Sequence, residues 1–356
     1  MSVPAASPAP PASSGQRVHT ICLVILAVCA AGAVLTAIEP VVTPLLISLF
    51  LFFLVNPFVA ACEARRISTW LAYALVSMVA VVAVYSIGWV IELNSRELVA
   101  RLPQYGQRAT ALLDQAARLA RIADENGHFD WDRYALHDLI PVTQEGAIGY
   151  IVSGTVEVLE VTTLAVFYLL FLLIEARKLP VRVRRSLQVE SAARVLEMAD
   201  TINADIWRYL VVKTAVSAGL GLTTAVAGLL FGLDFWLLWG FLMFLANYIT
   251  YVGSIIALVP PILIAFVQFD NPATAPALTT ILIVVRFAWI DYVELRYSGK
   301  HVNVSPLLLL FGIAMLGWMW GVVGMLLAVP LITSIRIALS SHPESAYLAR
   351  LMSDVE

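Results

Sequence analysis

The hydrophobic pattern of the chain consists of long apolar runs separated by short polar segments. A transmembrane helix needs about 20 apolar residues, because each residue adds about 1.5 Å to a path of about 30 Å through the hydrocarbon core. Three such runs lie within residues 18–93, and a fourth lies within residues 148–178. Residues 94–147 between them are polar, and from Pro103 onward their apolar side chains follow the spacing of an amphipathic helix.

The second half of the chain is divided in a similar way. Residues 179–208 form another amphipathic stretch, and residues 209–339 are predominantly apolar. The termini are polar by comparison: residues 1–17 are rich in Pro, Ala and Ser, which predicts a disordered tail, and residues 340–356 form a short C-terminal tail.

Two apolar runs, Phe235–Val267 and Ser305–Ile335, are too long for a single crossing. As straight helices they would measure roughly 45–50 Å. Each is interrupted near its middle, the first at Asn247–Ser254 and the second at Gly317–Gly324. These features predict an all-α polytopic membrane protein with about six full transmembrane helices and two re-entrant or broken helical hairpins, the alternative being about eight full spans.

Basic residues predict the orientation, because loops rich in Lys and Arg remain in the cytoplasm. Arg65 and Arg66 follow the second run, and a basic cluster at 177–185 follows the fourth. If the first long run is re-entrant, the basic loop 296–301 is also cytoplasmic. We therefore predict that both termini are cytoplasmic, that residues 94–147 are extracytoplasmic, and that the two hairpins have opposite orientations, as in an inverted repeat.

Composition supports this class: 60% of the residues are hydrophobic and only 13% are charged. Soluble domains are closer to half apolar and a quarter charged. The net charge of -3 gives no reason to expect a nucleic-acid partner, and the 3 cysteines and 5 histidines have no metal-ligand spacing. We expect neither a metal nor a cofactor, and the lack of a P-loop or a nucleophile–base motif predicts that the chain is neither an ATPase nor an enzyme.

Three stretches of the sequence are similar to motifs of one family of membrane proteins. VVTPLLISLFLFFLVNPFV ends in a polar-proline pair, Asn56-Pro57, similar to the end of the second span of that family. ANYITYVG is similar to the family signature N-[FY]-I-P-Y-[IV]-G, with Thr250 in place of the usual proline. The stretch from GKHVNVSPLLLL to AVPL is similar to the closing block of the family, including Gly299, Pro306 and Pro330. Together these stretches resemble the autoinducer-2 exporter family of bacterial permeases.

The resemblance implies an ATP-independent transporter of the bacterial inner membrane that assembles as a homo-oligomer. Residues 209–339 would then be the transport core. Some members of the family are associated with export of autoinducer-2, a small polar signal, and others with sodium(lithium)/proton antiport. The expected partners are therefore a small polar solute or a cation, the lipid bilayer and further copies of the chain.

Polar groups at the two breaks are the candidate substrate pathway, because irregular backbone at membrane depth is tolerated where it lines a wet cavity. Close helix packing at the glycines is the alternative explanation. The candidate pathway residues are Asn56, Asn247, Tyr248, Thr250, Tyr251, Gly253, Ser254, Arg286, Gly321 and Gly324.

Carboxylates near the ends of spans are candidates for ion or proton coupling, since charges within membrane segments are costly and functional or paired. They are Glu157, Glu160, Asp291 and Glu294. A cation/proton antiporter needs a deep carboxylate, and neither long run has one near its middle, so export of a polar solute is favoured and antiport is the alternative. A fifth apolar run covers Tyr209–Phe231, and we interpret Lys213, at its border, as solvated or paired.

Overall fold

A computed structural model describes residues 36–68, 70–75, 104–112, 144–298, 304–341 and 345–353, together with single residues between 26 and 101. The side chains of residues 144–159, and of several residues within 56–64, are outside this description. All described regular elements are helical. They are α1 (Glu39–Ala64), α2 (Gln144–Ser186), α3 (Val189–Phe231), α4 (Trp236–Ala246), α5 (Gly253–Gln268), α6 (Thr274–Phe287), a π-helical segment (Ala288–Glu294), α7 (Leu295–Ser298), α8 (Pro306–Ser340) and α9 (Ala346–Met352).

Helices α2 and α3 each contain 43 residues and are joined at Leu187 and Gln188. At 1.5 Å per residue each is roughly 65 Å long, about twice the thickness of a hydrocarbon core. The amphipathic stretch 179–208 is divided between the end of α2 and the beginning of α3. Within the described residues, α3 and α8 are the two helices long and apolar enough to cross a membrane.

Helices α4 and α5 fold back on each other as a hairpin, called here the first hairpin. Its two ends meet, because Gln268 accepts a hydrogen bond from the Asp234 N–H (2.8 Å) and donates one to the Gly232 carbonyl (2.7 Å). At the opposite end of the hairpin, a Cβ on Gly253 would overlap the Ala246 carbonyl. The first long apolar run therefore begins and ends at the same side of the molecule.

Helix α8 also folds back, and it forms the second hairpin. Its helical backbone is broken at Trp320 (φ -136°, ψ 25°) and Gly321 (φ 56°, ψ -144°). A Cβ on Gly312 would overlap the Ile332 side chain, although these residues would lie about 30 Å apart in a straight helix. Gly321 permits the reversal because its positive φ, at this ψ, is a conformation that side-chain-bearing residues avoid.

The two hairpins pack at opposite ends of the apolar part of α3. The first hairpin begins beside Gly228, whose added Cβ would lie 2.9 Å from the Trp236 Cβ. The second hairpin shares a buried cluster with the other end, in which Leu210 packs with Leu309 and Ile332. Since Leu210 and Gly228 are about 27 Å apart along the helix, the hairpins open from opposite sides of a layer nearly as thick as a hydrocarbon core.

The described residues before α2 support this core at two places. Helix α1 packs against α2, α3 and α8, and the buried Tyr73 donates a hydrogen bond to the Leu173 carbonyl (3.0 Å). Residues 104–112 are helical, in the region predicted to be an amphipathic helix, and they lie over the open end of the first hairpin.

Three side chains hold this helical segment on the first hairpin. Arg101 Nη1 lies 2.9 Å from Asp234 Oδ2, and the Tyr105 hydroxyl donates to the same oxygen at 2.5 Å. Arg108 donates to the Gln268 carbonyl at 3.0 Å. Burial, and then the hydrogen bond to the Asp234 carboxylate, raises the pKa of Tyr105 to about 12. The polar segment is thus fastened to the end of the hairpin that lies away from its tip.

Candidate substrate cavity

A cavity of about 630 Å³ lies at the tip of the first hairpin. Its other walls are α3, the continuous helix formed by α6, the π-helical segment and α7, and the open end of the second hairpin. Its walls combine charged, polar and apolar side chains. The lining residues are Tyr209, Lys213, Asn247, Thr250, Tyr251, Ser254, Ile255, Arg286, Ile290, Asp291, Glu294, Leu295, Val304, Pro306, Leu309 and Val329.

The hairpin tip is fixed to α3 by hydrogen bonds between side chains. Asn247, only 2% exposed, donates from Nδ2 to Ser217 Oγ (2.9 Å), and Tyr248 donates to Thr214 Oγ1 (2.9 Å). The first bond is buried and the second is partly buried, and an unpaired polar group in the interior is costly. The Asn247 amide lines the cavity, whereas Tyr248 packs edge-on against Phe244 and acts as an anchor.

The tip adopts a backbone conformation that is uncommon for residues with side chains. Tyr251 has a positive φ of 68°, and residues held in this way occur often at functional sites. Next to it, the Thr250 hydroxyl lies 3.3 Å from the Tyr209 hydroxyl on α3. Thr250 therefore makes a hydrogen bond that the proline usual at this position in the family signature could not make.

A buried ion pair joins α3 to the π-helical segment inside the cavity. Lys213 Nζ lies 2.5 Å from Glu294 Oε1, and the two side chains are 3% and 13% exposed. Within the described part of the chain, Glu294 Oε2 is buried without a hydrogen-bond partner. Burying two charges carries a desolvation penalty that offsets much of their attraction, so such a pair is a poor stabilising device and, within a membrane segment, indicates function.

A second ion pair connects the same wall to the first hairpin. Arg286 Nη1 lies 3.5 Å from Asp291 Oδ2, and Arg286 Nε donates to Ser254 Oγ at 3.2 Å. In an α-helix, residues five apart point in different directions. The π-helical geometry of Ala288–Glu294 has more residues per turn, which brings Asp291 below Arg286.

Trp289 orients the π-helical segment toward the cavity. Its indole donates to Thr223 Oγ1 on α3 at 3.1 Å. The indole ring also fills the space that a side chain at position 219 would occupy, and Gly219 leaves that space free. Since Trp289 is fixed on α3 in this way, the following turn directs Glu294 toward Lys213. π-helical turns in longer helices are often found at functional sites for this kind of local adjustment.

The structure brings many of the sequence candidates together in this cavity. Those lining it are Asn247, Thr250, Tyr251, Ser254, Arg286, Asp291, Glu294 and Pro306. Gly253 lies at the hairpin tip, Gly321 and Gly324 lie at the reversal of the second hairpin, and Pro330 is buried in α8. Glu160 is exposed on α2.

Four candidates fall outside what the structure describes. They are Gly299 and the side chains of Asn56, Pro57 and Glu157. Sequence reasoning did not select Tyr209 and Lys213, both of which line the cavity. The sequence does contain a sign of the role of Lys213, because it is a lysine one turn inside an otherwise apolar run.

Comparison with known proteins places the chain among transporters. Residues 23–343 match the family described as AI-2E family transporter. A Haemophilus influenzae protein, provisionally named a transport protein, is 27% identical over 352 residues, which cover 96% of this chain and 98% of the relative. The AI-2 transport protein TqsA of Escherichia coli is 26% identical over 317 residues, covering 88% of this chain and 90% of TqsA.

Another Escherichia coli relative, YhhT, is also provisionally named a transport protein. It is 25% identical over 324 residues, covering 89% of each chain. The match of the family extends from before α1 to beyond the end of α8, so it includes both hairpins and all the lining residues of the cavity. The chain belongs to the AI-2E transporter family of membrane proteins.

Proposed function

We propose that the chain moves small polar solutes or signals such as autoinducer-2 across the bacterial inner membrane without ATP, by way of the cavity at the tip of the first hairpin. The observation that carries the proposal is the position of this cavity. It lies where the tip of one broken helix meets α3 and the open end of an oppositely oriented hairpin, and interrupted helices form the substrate sites of many transporters.

The lining favours a polar solute with little net charge. Each of its two acidic groups is paired with a basic one, Glu294 with Lys213 and Asp291 with Arg286. The cavity therefore provides hydrogen-bond donors and acceptors without an uncompensated charge. The hydroxyl of Thr250 extends this set, and side chains such as Ile255 provide apolar contact, as in most small-molecule sites.

The packing also supports a state in which the cavity is accessible from the cytoplasmic side. Tyr209 and Lys213 lie in the part of α3 that follows the predicted cytoplasmic stretch. The opposite end of the first hairpin is closed by the bonds from Arg101 and Tyr105 to Asp234. In the reverse arrangement the cytoplasmic side would be closed and the second hairpin would have the role that the first has here. Exchange between the two arrangements would be alternating access in an inverted repeat.

Sodium(lithium)/proton antiport is the less favoured function. It needs a carboxylate that exchanges a proton for a metal cation, and both carboxylates of the cavity already face a basic side chain. The resemblance to the autoinducer-2 exporter family also supports a homo-oligomer, and the positions of the basic residues support cytoplasmic termini. Chemical cross-linking in native membranes tests that assembly.

The function is tested by reconstituting the purified chain into liposomes loaded with labelled autoinducer-2. We expect release of the label without ATP, at a rate well above that of protein-free liposomes. A sodium gradient imposed on the same vesicles should cause no proton movement. Proton movement driven by sodium, without release of the label, would establish the antiporter instead. The variant Glu190→Gln serves as control, because it removes an exposed carboxylate in the first turn of α3 that does not line the cavity.

A further inference from the structure

The Lys213–Glu294 pair is a buried contact between a cation and a carboxylate in this cavity. We propose that the Lys213 ammonium replaces a bound monovalent cation, so that the cavity works without sodium and contains a latent sodium site that loss of Lys213 exposes. The part of this inference that concerns transport rests on the proposed function. The part that concerns sodium binding does not, because it can be measured without any solute.

The geometry matches a lysine that stands in for an ion. Lys213 Nζ lies 2.5 Å from a carboxylate oxygen of Glu294, and the lysine side chain is only 3% exposed. Both residues are held in place by their helices, because Trp289 binds the π-helical segment to Thr223 and Gly219 of α3. A compact ammonium at this distance cancels the carboxylate charge in the way that a small cation would.

The cavity offers further oxygen groups to a cation. Glu294 Oε2 is buried and has no partner within the described residues. The hydroxyls of Tyr209 and Thr250 and the amide of Asn247 line the same cavity. Hard cations prefer oxygen ligands of this kind, and interrupted helices in transporters often supply carbonyl oxygens to sodium as well.

The other charged groups of the cavity do not satisfy Glu294. Arg286 is directed to Asp291 at 3.5 Å and to Ser254 at 3.2 Å, on the side of the wall that faces the first hairpin. If the Lys213 ammonium is removed, a buried carboxylate remains that has to gain another cation or a proton. At a pH above the usual range of a carboxylate, sodium is the cation available in the solution.

The test is the binding of radiolabelled sodium to the purified full-length protein in lipid nanodiscs. We expect no saturable binding by the wild type and saturable binding by Lys213→Met, which keeps an unbranched side chain of similar length but removes the charge. Adding Glu294→Gln to that variant should abolish the gain. Lys178→Met, which removes an exposed lysine on α2, is the matched control and should bind no sodium.

Several results would overturn the inference. One is saturable sodium binding by the wild type that Glu294→Gln removes, because the site would then already be available. Another is a Lys213→Met protein that keeps its melting temperature and size but binds no sodium at neutral or mildly alkaline pH. Lys213→Gln repeats the test if the methionine variant does not fold. If neither variant folds, the test is the effect of sodium on wild-type flux, and stimulation by sodium contradicts the proposal.

The inference and the proposed function fail in different ways. If Lys213→Met gains sodium binding but the wild type releases no autoinducer-2 from liposomes, the latent site is present and the solute assignment is wrong. If the wild type transports autoinducer-2 and its rate increases with sodium, the transport assignment stands and the role of Lys213 is contradicted.

Discussion

Asn247 has two roles, because it holds the hairpin tip on α3 and it lines the cavity. Replacing it with leucine removes both. The substitution keeps the approximate shape of the side chain but removes the Nδ2 donor that binds Ser217 Oγ at 2.9 Å. Ser217 is fully buried, so its hydroxyl loses its partner away from water. A buried polar group left unpaired costs about 1–3 kcal/mol, and we expect the variant to melt at a lower temperature by an amount in keeping with this loss.

The double variant Asn247→Leu with Ser217→Ala distinguishes stability from transport. Replacing both members of a buried hydrogen bond by apolar groups is close to neutral, so the melting temperature should return toward that of the wild type. Flux should not return, because the cavity still lacks the Asn247 amide, which lines it. Ser217→Ala alone should lower stability but keep measurable flux.

The assay combines thermal unfolding in detergent with release of labelled autoinducer-2 from liposomes at equal protein content. If flux recovers together with stability in the double variant, Asn247 serves only to hold the hairpin tip on α3. If Asn247→Leu transports at the wild-type rate, this part of the cavity is not the path of the solute.

Three further predictions concern the hairpins. Gly321→Ala should destabilise the chain by about 1–3 kcal/mol through backbone strain alone, since a Cβ there has open space around it. Gly106→Ala is the control, because a Cβ at that position also has open space and should cause no such loss. Thermal unfolding compares the two variants. The folded-state pKa of Tyr105 is raised from 10.0 to about 12. The contribution of Tyr105 to the free energy of unfolding should therefore be complete below pH 10 and lost as the pH rises through about 12. Tyr105→Phe should remove that part of the alkaline loss of stability. Cysteine at Ser298, in a chain without its native cysteines, should react with impermeant reagents only from the cytoplasm, and periplasmic labelling would contradict a re-entrant first hairpin.

The breaks in the two long apolar runs could be predicted from the sequence because run length is a strong physical constraint. A continuous helix over 235–267 exceeds the hydrocarbon core, and Asn247 and Gly253 indicate where it is interrupted. The structure has the turn between Ala246 and Gly253 and the second reversal at Gly321, within the predicted intervals.

The partners across the cavity could not be predicted in the same way. Lys213 and Glu294 are 81 residues apart, and neither has a local motif that indicates the other. The α-helical spacing does not bring Asp291 onto the same face as Arg286, and a π-helical segment, which does so here, has no reliable sequence signature. The pairing depends on how α3 packs against that segment, and single-sequence periodicity contains no information about such packing.

The reversal of the second hairpin shows a similar limit. Gly321 and Gly324 were selected for the pathway because they interrupt an apolar run, and the structure places both at the fold-back of α8. The cavity is instead lined by Pro306, Leu309 and Val329 from the open end of that hairpin. A break in a run indicates that the chain turns, but it does not indicate which end of the hairpin faces a partner.

Passage of the solute through the cavity beside the first hairpin can be tested with two adjacent isoleucines of α5. Ile255 lines the cavity, whereas Ile256, 64% exposed, is not among its lining residues. Each is changed to cysteine in a chain without native cysteines, labelled with a maleimide of a size comparable to the cavity, and assayed for autoinducer-2 release. If this cavity is the path of the solute, labelling at 255 should stop the flux while equal labelling at 256 leaves it intact. Undiminished flux with position 255 fully labelled would contradict it.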